Sequence, residues 1–381
     1  MTSKPTAEFL AQLVAHRTVS RDANEALIGF VAAQVQEAGG AVRVLPGRVA
    51  GKANLLARFG PDAGGGIVLS GHSDVVPVDG QDWHSDPFTL TARGDHLLAR
   101  GAVDMKGFIA SALNVLARRP VLSRPVYLAV SHDEEIGCVG VRSMLETMAA
   151  EGFAARGCII GEPTGMRVAV GHKGKVAGCI CCIGEAAHSA KPALGCNAIY
   201  LAGGMMREMQ ALQDWLVAHG ARDAAYEVPH STVQIGTIAG GTVLNIVPAR
   251  CEMKFEFRLL PGDDAAPLLA RLRAAGDRLA AVETAQGRHA AITVEAQNSY
   301  PGLDTGPQAD ILSVAQAAGG GAPFKVGFGS EAGLFSEMVG LPAVVCGPGS
   351  IDRAHKPDEY ITQGELDECD AFLQRVVEMQ V

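Results

Sequence analysis

The chain carries no run of lysine or arginine, and its 32 basic residues are outnumbered by 41 acidic ones, a formal net charge of -9. That balance excludes the electrostatic footprint of a nucleic-acid or anionic-membrane partner and leaves a small molecule as the expected one. It has no apolar run long enough to cross a bilayer. The first twenty residues mix Lys4, Glu8, His16 and Arg17 with their apolar neighbours and lack a signal-peptide core, so a cytoplasmic location is expected. Repeats and low-complexity segments are also missing. No CxxC pair occurs among the nine cysteines, which read as scattered reduced thiols rather than a disulfide framework. Cys179, Cys181 and Cys182 allow a thiolate-cluster reading, but they lie inside the apolar run 176–183, which favours a strand with small buried side chains.

What is present is glycine and aliphatic surface. Aromatics make up 5% of the chain against 46 glycines and 48% hydrophobic residues, the balance of an α/β enzyme with tight turns. At 381 residues the chain exceeds one ordinary core, which implies two domains or an insertion. Apolar spacing predicts helices at 6–14 and 26–38, strands at 42–45, 54–59 and 67–70, a helix at 105–118, a strand at 126–131, a helix at 141–150 and a strand at 158–160. From 176 the pattern changes to strand, long helix, two strands, helix and strand, the βαββαβ order of a ferredoxin-like unit. After 298 the α/β pattern returns with helices near 309–318, 334–338 and 364–379 and a buried strand at 342–346.

Chemistry concentrates after the apolar runs. Gly71-His72-Ser73-Asp74 follows the strand at 67–70, and a histidine becomes a defined nitrogen ligand when a neighbour such as Asp74 accepts from its other ring nitrogen. Asp104 stands at the mouth of the next helix, where a helix cap is the competing reading. Glu134 and Glu135, Glu162 and His355 also lie a few residues beyond the ends of apolar runs, where the ligands of open α/β sheets bind. A Glu-Glu pair is often solvated surface, and His355 between Arg353 and Lys356 also reads as a loop residue. Together, two histidines and three carboxylates form a nitrogen/oxygen set suited to zinc, cobalt or manganese. One ion leaves two carboxylates unexplained, whereas a pair of ions bridged by one carboxylate uses all five. Adjacent side chains on extended backbone point apart, so one of Glu134 and Glu135 can bind metal while the other serves as general base.

Gly71-His72-Ser73-Asp74, Arg100-Gly101-Ala102-Val103-Asp104-Met105-Lys106-Gly107, Asp133-Glu134-Glu135, Gly161-Glu162-Pro163-Thr164 and Ala354-His355 resemble the motifs of a co-catalytic metallohydrolase family. It includes acetylornithine deacetylase, succinyl-diaminopimelate desuccinylase, glutamate carboxypeptidase and aminoacylase. The resemblance runs over nearly the whole chain. It implies a zinc-peptidase-like catalytic domain with a mostly parallel sheet (1–175 and 295–381), interrupted by a ferredoxin-like dimerisation or lid domain (176–294). It implies two zinc ions per subunit, with cobalt as a substitute. Asp104 would bridge them, His72 and Glu162 would complete one site, and Glu135 and His355 the other. Glu134 matches the catalytic base and Asp74 its catalytic neighbour. His188, reaching the site of the second subunit of a homodimer, matches a substrate-binding position, as do Asn245, Arg258, Ser330, Gly347 and Gly349. Arg258 also makes independent sense, since a guanidinium grips a carboxylate through two parallel hydrogen bonds.

Asp104-Met105-Lys106-Gly107-Phe108, Gly171-His172-Lys173-Gly174, Gly329-Ser330-Glu331-Ala332 and Gly347-Pro348-Gly349-Ser350-Ile351 look most like the acetylornithine deacetylase branch. That implies a small N-acyl amino acid substrate and arginine biosynthesis as context. Two alternatives remain open: a desuccinylase or other N-acyl-amino-acid or dipeptide hydrolase on the same metals, and a catalytically silent metal or ligand carrier.

Overall fold

The computed structural model describes residues 5–118 and 121–381; residues 1–4 of the N-terminal stretch lie outside it. The chain divides into two compact units. Met1–Gly171, Leu303–Lys325 and Ser330–Val381 form the first, and His172–Gly302 with Val326–Gly329 form the second.

The first unit is built on a large sheet with the strand order Ala41–Pro46, Ala53–Phe59, Val126–Ser131, Gly66–His72, Ala155–Pro163, Ala343–Gly347, Ala169–His172 and Leu303–Asp304. Its central four strands, Val126–Ser131 through Ala343–Gly347, pair in parallel, while Ala41–Pro46 and Ala53–Phe59 join antiparallel. The mostly parallel sheet expected from the sequence is therefore present. Gly66–His72, Val126–Ser131 and Ala343–Gly347 are buried at every position, which is why they read as continuous apolar runs without alternation. The helix Gly107–Leu116 is buried throughout and packs between Thr6–Ala15 and Gln363–Glu378. With every strand of the parallel core running the same way, four C-terminal ends open on one side of the sheet.

In the second unit four antiparallel strands stand in the order Thr232–Gly240, Arg250–Leu259, Gly174–Ile183, Ala291–Tyr300. With the helices Ala198–His219 and Ala265–Thr284 this is the ferredoxin-like arrangement. Alternation decides what lies inside: Val176, Ile180 and Cys182 join Cys251, Met253, Phe255 and Phe257 in the core with the helices' apolar faces. The register sets Cys182 opposite Cys251. Cys179 and Cys181 are out of phase with Cys182, so the thiol run is split between the sheet's two faces.

The structure departs from the sequence reading at short elements. A three-stranded sheet of Thr91–Arg93, His96–Leu98 and Tyr360–Thr362 was not predicted, nor were the short strands Ala169–His172, Leu303–Asp304 and Phe324–Val326. Segments of two to four residues carry too few positions for a period to show. Ala155–Pro163 runs past the expected 158–160 and takes Glu162 into the strand itself. The helix expected from 105 begins at Gly107. Before it, Ala102–Lys106 is an irregular turn in which Asp104 is extended (φ -124°, ψ 92°) and the Asp104–Met105 peptide is cis.

Candidate active site

The strand ends bring five of the predicted side chains together. His72 closes the strand Gly66–His72, and its Nδ1 lies 2.9 Å from the main-chain oxygen of Asp74. A carbonyl only accepts, so Nδ1 carries a proton, which leaves Nε2 as the ring nitrogen that faces the carboxylates and is placed to bind an ion. That nitrogen is 3.1 Å from Asp104 Oδ1 and 3.5 Å from Glu162 Oε1. The other oxygen of Asp104 faces His355, whose Nε2 is 3.2 Å from Oδ2 and 3.1 Å from Glu135 Oε2. Two triads result, His72–Asp104–Glu162 and Asp104–Glu135–His355, with the donor atoms of each within 4.8 Å of one another. Asp104 is the member they share.

Electrostatics show what this packing requires. Burial alone would lower the His72 pKa, yet the hydrogen bond to Asp104 and the charges of Glu162 and Asp74 carry it well above the ordinary value. His355 is pushed up to about 10 by its hydrogen bonds to Asp104 and Glu135. Asp104 moves the opposite way: burial would raise its pKa, but both histidines hold it below the usual carboxylate range. Burial and the Asp104 charge raise Glu135 to about 7 and Glu162 well above its ordinary value. Buried carboxylates this close need positive charge among them. Divalent ions at the two triads would supply it, and the donor chemistry fits: ring nitrogens and carboxylate oxygens, no thiolate, one carboxylate with an oxygen for each site. Among the described residues, no donor group able to hold a metal includes a cysteine.

Glu134 sits beside these donors without belonging to either triad. Its neighbour Asp133 is left-handed (φ 52°), and the amides of Glu134 and Glu135 donate to the Asp74 carboxylate at 3.0 and 3.3 Å. This differs from the expectation for Asp74. Its carboxylate is 3.6 Å from His72 Nδ1, its main chain fixes the ring, and the freed carboxylate clamps the Glu134–Glu135 turn. Burial, together with the Glu331 charge and against that of His72, raises Glu134 to about 7. The Cys138 thiol donates to its Oε1 at 3.1 Å.

Of the remaining predicted residues, Ser330, Gly347 and Gly349 belong to the first unit. Ser330 is buried, with its hydroxyl accepting from the Ala332 amide at 3.2 Å. Gly347 ends its strand so close to Gly161 that a Cβ would sit 2.0 Å from that carbonyl oxygen, and Gly349 needs φ 77° where a Cβ would meet Val103 at 2.4 Å. His188, Asn245 and Arg258 belong to the second unit. His188 and Asn245 are exposed on neighbouring loops joined by the Ser189 amide donating to the Asn245 carbonyl at 3.0 Å. Arg258 donates to Glu256 at 2.6 Å and to the Tyr300 hydroxyl at 3.2 Å, so its guanidinium is already engaged along the sheet.

Two buried groups have no place in the sequence reading of the site. Glu331, next to Ser330 in its motif, is buried with its Oε1 accepting from Ser131 Oγ at 2.5 Å. Lys52 is 3% exposed and paired with Asp133 at 2.8 Å behind the Glu134 turn. Lys52 follows a glycine in a loop, and nothing in the spacing signals its partner 81 positions away.

An open α/β sheet with paired nitrogen/oxygen centres at its strand ends and a further carboxylate outside both is the architecture of a metal-dependent hydrolase. Residues 68–379 match the family described as peptidase family M20/M25/M40, and the chain belongs to it. Among curated relatives, the acetylornithine deacetylase of Klebsiella pneumoniae (strain 342) is 36% identical over 368 residues, covering 94% of this chain and 93% of the relative. That of Salmonella arizonae is 36% identical over 370 residues with the same coverage. Among solved structures, the M20 family metallo-carboxypeptidase Sso-CP2 from Sulfolobus solfataricus superposes with a TM-score of 0.80 at 18% identity, covering 99% of each chain. The dinuclear metal-binding peptidase YXEP of Bacillus subtilis gives 0.66 at 15% identity and 98% coverage of each. These structures share the fold.

Proposed function

We propose that the chain is an acetylornithine deacetylase, hydrolysing N2-acetyl-L-ornithine to L-ornithine and acetate in arginine biosynthesis. Support for the substrate comes from curated relatives of that name at 36% identity over 94% of the chain. The chemistry is carried by one observation: two donor triads share Asp104 while the buried carboxylate of Glu134 belongs to neither. Two zinc ions, with cobalt as substitute, are the proposed cofactors, held by His72, Asp104 and Glu162 on one side and by Asp104, Glu135 and His355 on the other. Bound ions would polarise the amide carbonyl and acidify a nearby water.

The chain's own residues then have distinct tasks. Glu134 takes the proton of the attacking water as the new C–O bond forms at the amide carbon, and returns it to the ornithine nitrogen as the C–N bond breaks. A carboxylate raised to about 7 is near the operating pH, which suits it to both transfers. Asp74 keeps the Glu134 amide in place while its carbonyl holds the His72 ring in one tautomer. Arg258, Asn245, Ser330 and the Gly347–Gly349 turn are the proposed grip on the substrate, with Arg258, whose Nε and Nη1 are held by Glu256 and Tyr300, offering its remaining N–H groups to the substrate carboxylate. His188 is proposed to serve the oxyanion across a homodimer formed through the second unit. The cytoplasm is the proposed compartment, which the nine free cysteines support. Among the described residues no helix is long and apolar enough to cross a membrane.

Release of free amine from N2-acetylornithine, N-succinyl-diaminopimelate and several N-acyl amino acids, with zinc or cobalt and with chelator, tests the substrate. Metal-dependent turnover selective for N2-acetylornithine is expected. Selectivity for another amide would overturn the deacetylase assignment, and no turnover with any would leave the silent carrier.

A further inference from the structure

We propose that Gln81, Arg100 and Glu359 form a brace that sets the positions of Asp104 and His355, making them positioning residues for both metal triads; the inference rests on the two-ion reading above. Glu359 is 1% exposed, and its Oε1 accepts from the amides of Val103 at 3.0 Å and Asp104 at 3.2 Å. Its Oε2 accepts from Arg100 Nη1 at 2.6 Å. Arg100, also 1% exposed, reaches on through Nη2 to Gln81 Oε1 at 2.5 Å. Gln81 completes the path, its Nε2 donating to the His355 carbonyl at 3.0 Å. An unbroken run of hydrogen bonds thus joins the main chain at one metal-site residue to the main chain at another.

The two residues served are the ones whose backbone is irregular. His72 and Glu162 stand on strands, and Glu135 on a turn clamped by Asp74. Asp104 is extended inside a helical turn and His355 is left-handed at φ 63°, conformations that neighbouring secondary structure does not impose. His355 is also half-exposed, so packing does little to hold it. A fully buried ion pair is weak evidence for stability, because desolvation offsets much of the attraction, and here Arg100 Nε is buried with no hydrogen-bond partner among the described residues. Geometry is what this pair provides. Trp83 steadies the exposed end, donating to Gln81 Oε1 at 3.0 Å with its ring 5.1 Å from the Arg100 guanidinium.

The test is a zinc titration of the metal-stripped full chain against a chromophoric chelator, with the thermal midpoint of the stripped protein measured in parallel. Gln81→Ala removes the link to His355, together with the acceptor that Gln81 offers Arg100 and Trp83, and leaves Glu359 on the Asp104 amide. It is expected to weaken one of two zinc-binding steps about 10–100-fold, leaving the other step and the metal-free midpoint unchanged. Arg100→Met with Glu359→Gln removes the support of Asp104, the shared ligand, and is expected to weaken both steps. Wild-type affinity for both ions in Gln81→Ala overturns the proposal, as does a loss that only follows a lower metal-free midpoint. Should the double variant fail to fold, Gln81→Ala decides alone. Failure of the wild type to take up zinc would instead overturn the two-ion reading.

Discussion

Glu134 and Glu135 are chemically identical neighbours, and the turn that carries them gives each a different environment. Glu135 faces Asp104 and His355, while Glu134 faces the Cys138 thiol and the charge of Glu331. Replacing Glu134 by Gln removes the proton carrier and no proposed metal ligand. Turnover is expected to fall by about 10²–10⁴ with bound zinc unchanged by elemental analysis. Near-normal turnover would remove Glu134 from the mechanism. The pH dependence follows from the same residue. A base acts only when ionised, and burial raises this one, so kcat/KM is expected to fall as pH drops through the Glu134 pKa, giving an acid limb that Glu134→Gln lacks. Much of this grouping was legible in the sequence, because four of the five donors lie beyond apolar runs and Asp104 stands at a helix mouth. The service Asp74 performs was not, because its carboxylate binds amides 60 positions away while its main chain does the local task.

At the scale of elements, the strand ends set the site and the last helix secures the segment that carries His355. Gln363–Glu378 opens with a capping box in which Thr362 and Glu365 bond each other's main chain, and both oxygens of Glu365 also meet the Arg353 guanidinium. Burial would raise Glu365, but Arg353 and the Thr362 amide hold it below the ordinary value. A pKa lower in the folded state than in the unfolded chain contributes stability above the unfolded value, which is lost as pH falls through the folded one. Glu365→Gln is therefore expected to cost about 1 kcal/mol at neutral pH, seen as a lower thermal midpoint. The gap to the wild type should narrow as pH is taken below the carboxylate range, and a gap independent of pH would contradict the assignment. Long buried strands announced themselves through continuous apolar runs, whereas short strands such as Ala169–His172 offered four positions and no period. The brace from Asp104 to His355 was invisible for another reason: Arg100 and Glu359 lie 259 positions apart, and no local pattern encodes that pairing.

For the whole molecule, two units with separate cores account for a length that one core would not fill. The cysteines bear on both. Eight of the nine are buried and Cys181 is half-buried, so a chromogenic thiol reagent is expected to modify about one cysteine per native chain quickly and the rest only on unfolding. Zinc should leave that count unchanged; protection of several thiols by zinc would revive the cluster that the alternating faces of Gly174–Ile183 argue against. Metal-dependent hydrolysis is tested most directly by following bound metal and amine release from N2-acetylornithine together as zinc is added to the metal-stripped chain. Turnover is expected to be absent without metal and to return as zinc fills up to two sites per chain. Undiminished turnover in the stripped protein, or full metal loading without hydrolysis of N2-acetylornithine, would contradict it.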